Sequence, residues 1–180
     1  MRKGWYSFSW GTVDMFVVDT EEDFSPESEQ GKWLEAALAA SKAPWKIVAQ
    51  HVPGISVGSH GFNDKVNAHL RPVYERHGVA IVFAGHDHIY MRSKPIASQE
   101  AAMPITYVIA GGGGAPLYDM KKRDWAAVAC SCYNYLIIQA DPKTIHAVVR
   151  DSERNVLDTF SISKEDAGYA RSRVPFEAVK

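Results

Sequence analysis

Gly85-His86-Asp87-His88 puts two imidazoles two residues apart, directly behind the apolar run Val79–Ala84. Six apolar residues bounded by glycines read as a buried strand. The two histidines therefore leave from a loop at a strand end, the place where sheet proteins usually carry their ligands. A second run, Trp45–Gln50, ends in the same way at His51-Val52-Pro53. If these strands are neighbours, His51, His86 and His88 converge on one edge of one sheet. Imidazole nitrogens suit zinc, iron, nickel and similar ions. A shared edge places the three rings within about 8 Å of one another, a span that admits two ions about 3.5 to 4 Å apart. The plainer alternative is that a histidine pair behind a strand is only polar loop surface. Three imidazoles also leave a site unfinished, because zinc takes about four ligands and two-metal hydrolytic sites need carboxylates and a bridging group.

The composition sets bounds on the rest. The chain has 180 residues and 46% hydrophobic content, enough for one core. Its 20 basic and 21 acidic residues nearly cancel, which argues against an electrostatic nucleic-acid binder. A phosphate-bearing small substrate stays open, since a metal site supplies its own local charge. Cys130 and Cys132 are too few for a disulfide scaffold, so they read as reduced thiols. No apolar run approaches a membrane span, and Met1-Arg2-Lys3 leads into Gly4-Trp5-Tyr6 rather than an apolar targeting core. The cytoplasm is the default compartment, and no membrane or nucleic-acid partner is expected.

The elements that must position the histidines follow from periodicity. Tyr6–Trp10, a turn at Gly11 and residues 13–19 read as a hairpin. Residues 20–29 form a polar loop, Ser28 can cap, and residues 30–40 carry the helical stripe Trp33, Leu34, Ala37 and Leu38. After His51 comes the glycine-rich stretch 52–61, a candidate rim that includes His60. Residues 64–77 form a helix that Pro72 kinks or divides. Further strands occupy residues 105–110, 133–140, 145–150 and 156–162, with four glycines at 111–114. No Lys-Ser or Lys-Thr follows those glycines, so they are not a phosphate-wrapping loop but a place of close backbone approach. Residues 1–163 read as one domain and residues 164–180 as a polar tail.

At this point the residues resemble a known family. Tyr6-Ser7-Phe8, the strand 13–19, Ser28-Glu29-Gln30 with Trp33-Leu34, Val48-Ala49-Gln50-His51-Val52-Pro53, Gly85-His86-Asp87-His88 with Tyr90 and Arg92, and the glycines 111–114 are similar to calcineurin-like metallophosphoesterases of the purple acid phosphatase branch. The strands around Tyr133 and Val156-Leu157-Asp158 also fit. The resemblance implies a metal-dependent phosphoric ester hydrolase acting through a metal-activated hydroxide on a phosphate-ester small molecule. It implies two divalent or mixed-valence ions drawn from iron, zinc or manganese, with His51 and His86 on one and His88 on the other. His60 would face the substrate phosphate, with a purely structural or solvent role as the alternative.

The family's Asp, Gly-Asp and Gly-Asn-His motifs, which precede this region, do not occur in the chain. The sequence therefore reads as the C-terminal part of such a domain, with the N-terminal half missing. The expected fold is a partial αββα sandwich: a mixed sheet with helices on one face and an open second face, available to the missing half or to self-association. Two alternatives stand beside the hydrolase. One is a catalytically inactive α/β remnant or partner-binding module, the other a mononuclear three-histidine hydrolase.

Overall fold

The computed structural model describes residues 3–99, 101–165 and 173–179. In chain order the elements are β1 (Tyr6–Trp10), β2 (Val13–Val18), α1 (Glu29–Ala40), β3 (Trp45–Gln50), α2 (Asp64–His69), α3 (Arg71–Arg76) and β4 (Val79–Ala84). Then come β5 (Tyr90–Ser93), β6 (Ile96–Ala97), β7 (Thr106–Ala110), β8 (Ala126–Cys130), β9 (Tyr135–Ala140), β10 (Thr144–Arg150), β11 (Val156–Ser163) and β12 (Val174–Pro175).

Seven strands form the main sheet in the order β1-β2-β3-β4-β7-β5-β8. Strands β2, β3, β4 and β7 are mutually parallel, and β1, β5 and β8 run antiparallel to their neighbours. Parallel strands all end at the same edge, so the loops after β2, β3, β4 and β7 collect there. The near-continuous burial of β3, β4 and β7 is what a sheet covered on both faces requires.

One face is covered by the helices. Ser28 caps α1 by accepting from the Gly31 N–H, and Leu34 and Leu38 turn inward. Residues 64–77 divide at Leu70, just ahead of Pro72, into α2 and α3, and Val66, Leu70 and Tyr74 still present one stripe. These side chains pack on Phe16, Val48 and Val82 of the sheet.

The opposite face is closed by a second sheet of order β11-β10-β9. Strand β10 alternates strictly, with Ile145, Ala147 and Val149 inward, and these meet Trp45, Ile47, Ile81, Tyr90 and Val108 together with Phe160 and Ile162. This corrects the expected partial sandwich, in which a missing N-terminal half left the second face open: the described residues form a mixed α/β sandwich with that face covered, the three late strands being its second layer. Large apolar side chains remain exposed mainly on β1, where Trp10 is 79% accessible, and on the outer side of β9.

A half-buried ion pair fastens the two sheets. Arg92 of β5 donates through Nε to Asp158 Oδ2 at 2.6 Å and through Nη2 to Oδ1 at 3.1 Å. The Tyr90 hydroxyl donates to the same carboxylate at 2.7 Å.

Two further details depart from expectation. Cys130 and Cys132 are joined as a disulfide with Cα atoms 5.4 Å apart. Residues two apart on a strand lie on one face, so strand geometry does not keep this pair apart, and the chain bends at Ser131 just past the end of β8 at Cys130. Within residues 164–180, the described segment 173–179 returns to the body: β12 pairs with β6, and Phe176 and Val179 are buried. No helix among the described residues is long and apolar enough to cross a membrane.

Candidate metal centre

The parallel order brings the loops after β3 and β4 side by side. The Gly85 N–H donates to the His51 carbonyl at 3.1 Å, which joins them at their first residues. His86 then takes a positive φ of 65°, unusual for a residue with a side chain. The result is that His86 Nδ1 lies 3.2 Å from His51 Nε2, with the ring planes 76° apart and the centroids 5.0 Å apart. His60, from the glycine-rich stretch after β3, stands over the same ring at 3.9 Å between centroids. Burial, and then the neighbouring His60 and His51, push the His86 pKa down despite Asp87 and Glu21, so that the neutral, metal-competent form is favoured.

His88 leaves the turn in another direction. Its Nδ1–H donates to the Pro116 carbonyl at 2.8 Å, which leaves Nε2 as the free lone pair. Its ring stacks on Tyr118 at 4.3 Å between centroids, and the same Tyr118 ring lies 6.0 Å from His60. The structure thus brings His51, His86 and His60 into one contact group and sets His88 across Tyr118 from it. The Pro116 carbonyl and Tyr118 were not among the residues marked by sequence. Their signal is position, since Ala115-Pro116-Leu117-Tyr118 directly follows the four glycines.

Asp87 is fully buried between the two ligand candidates, yet it pairs with neither. Its Oδ1 accepts from His60 Nδ1 at 2.7 Å, from the Ser59 hydroxyl at 3.2 Å and from the His60 backbone N–H at 3.3 Å. Burial alone would raise the Asp87 pKa, but hydrogen bonds from Ser56 and His60 outweigh it and hold the carboxyl below its usual value.

Of the four glycines, Gly111 and Gly112 sit at close approaches, and Gly113 and Gly114 are open. A Cβ on Gly111 would collide with the Asp87 carbonyl oxygen, so only glycine lets the end of β7 pass this turn. Gly111→Ala is expected to cost about 1–3 kcal/mol of stability through overpacking. It should also disturb the His86 and His88 amide signals in NMR, and an unchanged urea midpoint with unshifted signals would contradict this account.

The donor chemistry can be tested against a metal ion. Two nitrogens bound to one zinc at about 2.0–2.1 Å stand about 3.3 Å apart in a tetrahedron. The His51–His86 separation of 3.2 Å matches that edge. Among the described residues, however, no group of three or more His, Cys, Asp or Glu side chains is placed to hold an ion. Among the described residues the donors that face one another are these two imidazoles.

Comparison with known proteins gives this arrangement a family context. The model of the calcineurin-like phosphoesterase family matches residues 2–90. Purple acid phosphatase 21 of Arabidopsis thaliana is 33% identical over 117 residues, 61% of this chain and 26% of the relative. Probable inactive purple acid phosphatase 1 of the same plant is 28% identical over 188 residues, 91% of this chain and 31% of the relative. The purple acid phosphatase from yellow lupin (Lupinus luteus) seeds superposes with a TM-score of 0.81 at 25% identity, over 97% of this chain and 33% of that one. The chain thus spans roughly a quarter to a third of the length of these relatives. The resemblance to metallophosphoesterases of the purple acid phosphatase kind is shown, and with it a general association with metal cofactors. It is corrected in extent: the likeness covers nearly all of this chain, including its first half, rather than marking a C-terminal part alone.

Proposed function

We propose that this chain is a metal-dependent phosphoric ester hydrolase in which His51 and His86 hold one ion, His88 faces a second, and His60 contacts the substrate phosphate. The observation that carries the proposal is the facing of His51 Nε2 and His86 Nδ1 at 3.2 Å, the separation of two donors on one metal. Iron, zinc or manganese is the expected metal, since imidazole suits zinc and iron and the family resemblance adds manganese. When bound, such an ion offsets the negative charge of phosphoryl oxygens and acidifies a bound water. The chain's own residues do the rest. Imidazole ligands such as His51 and His86 carry no negative charge and so hold an ion without cancelling its charge. The Pro116 carbonyl keeps the proton of His88 on Nδ1 and leaves Nε2 as a donor. His60, 42% exposed and beside His86, can hydrogen-bond a phosphate oxygen or pass a proton to the leaving alcohol.

A second reading is a catalytically inactive, partner-binding domain. It is favoured by one observation, that among the described residues no group of three or more His, Cys, Asp or Glu side chains is placed to hold a metal ion. Turnover of p-nitrophenyl phosphate with added zinc, manganese or ferrous iron separates the two. The hydrolase reading expects metal-dependent turnover that a chelator abolishes. Metal binding with turnover no higher than that of the free ions would favour the second reading.

A further inference from the structure

We propose that Asp87 is a positioning residue for His60: its carboxylate fixes the Nδ1 proton of that imidazole and leaves Nε2 as the single ring nitrogen presented to a phosphate ester. The inference rests on placing His60 at the substrate side of the site.

The geometry is specific. An ionised carboxylate only accepts hydrogen bonds, so the nitrogen that faces it carries the proton. His60 Nδ1 faces Asp87 Oδ1 at 2.7 Å, and this holds whether the ring is neutral or charged. The two partners differ sharply in environment, with the Asp87 side chain 0% and the His60 side chain 42% accessible. A buried acceptor thus grips one end of a ring whose other end is open.

Asp87 is itself held in place. The same oxygen takes the Ser59 hydroxyl at 3.2 Å and the His60 backbone N–H at 3.3 Å. On its other side stands Gly58, where a Cβ would come within 2.8 Å of both carboxylate oxygens. The residues on either side of Asp87 are occupied elsewhere, His86 with His51 and His88 with Pro116. The carboxylate therefore serves the loop after β3 from the loop after β4, across 27 residues of sequence.

A carboxylate that fastened the two loops only through the Ser59 hydroxyl and the His60 backbone N–H would be indifferent to which ring nitrogen of His60 is protonated, and this separates the two roles. The test is nitrogen NMR of the full chain with labelled histidine at about pH 8, well above the ordinary imidazole value near 6.5. His60 of the wild type should carry its proton on Nδ1. A proton on Nε2, or an even mixture, would overturn the proposal without any substitution. Asp87→Ala should release the ring into a mixture of tautomers, whereas Asp87→Asn, which keeps an acceptor oxygen facing Nδ1, should retain the wild-type form. An unchanged His60 tautomer in folded Asp87→Ala would also overturn it. If that variant does not fold, the wild-type and Asp87→Asn spectra decide. Zinc added to the same wild-type sample reports on the metal seat separately. His51 and His86 signals that ignore zinc while His60 keeps its Nδ1 proton would sink the metal reading and leave the positioning role standing.

Discussion

His86→Ala is expected to weaken zinc binding by at least about 100-fold, the upper end of what losing a supporting partner alone costs a metal site. The effect should be large because the described residues offer only two facing donors, His51 Nε2 and His86 Nδ1, and removal of one leaves a single imidazole. His60→Ala should weaken zinc binding much less, since its Nδ1 is committed to Asp87. The backbone requires a control. His86 has φ of 65°, where alanine is strained but asparagine is tolerated. His86→Asn should therefore keep the loop and still lose the metal. Isothermal titration calorimetry of the three variants against wild type makes the comparison, and equal losses for His60→Ala and His86→Asn would show that the ligands are misassigned.

Asp158→Ala should cost about 1–3 kcal/mol of folding stability, the typical effect of leaving hydrogen-bonding groups without their partner at a site largely shielded from water. The Asp158 side chain is 7% accessible and that of Arg92 17%, so the guanidinium left behind cannot recover full hydration. Tyr90, fully buried, loses the acceptor of its hydroxyl at the same time. Asp158→Asn should cost less because it keeps an acceptor for Tyr90. The pH dependence has a definite sign. Burial alone would raise the Asp158 pKa, but the hydrogen bonds from Arg92 and Tyr90 outweigh it and hold the carboxyl below its usual value. Its contribution is therefore complete above the unfolded value near 3.9 and fades as pH falls through the lower folded value. Urea unfolding of wild type and Asp158→Asn should show a stability difference that is constant above about pH 5 and shrinks below about pH 4. A difference that grew on acidification would contradict the pairing.

The elements that deliver the histidines were legible because each is locally determined. Strands β3 and β4 are short apolar runs with clear ends, Ser28 caps α1, and Pro72 marks the division between α2 and α3. What sequence did not show is where elements go after they form. The alternation of Ile145, Ala147 and Val149 was present in the sequence, yet periodicity says only that a strand has one buried face, not which sheet it covers. For that reason the three late strands were not recognised as a second layer, while the open face was inferred from motifs the chain lacks.

The site was legible to a similar depth. The strand-then-histidine pattern marks His51, His86 and His88 as loop residues at one sheet edge. It does not give ring direction. The positive φ of His86 turns its ring to His51, and the Pro116 carbonyl draws His88 toward Tyr118. The Asp87–His60 pair depends on the path of a glycine-rich loop, for which neither propensity nor spacing carries a signal.

The central claim is that the two facing imidazoles seat a metal. Anomalous scattering from crystals of the wild-type chain grown with zinc tests this most directly. The account predicts a zinc peak shared by His51 Nε2 and His86 Nδ1, about 2.0–2.1 Å from each. Zinc bound only elsewhere, with the His51–His86 pair left as a hydrogen-bonded contact, would contradict it.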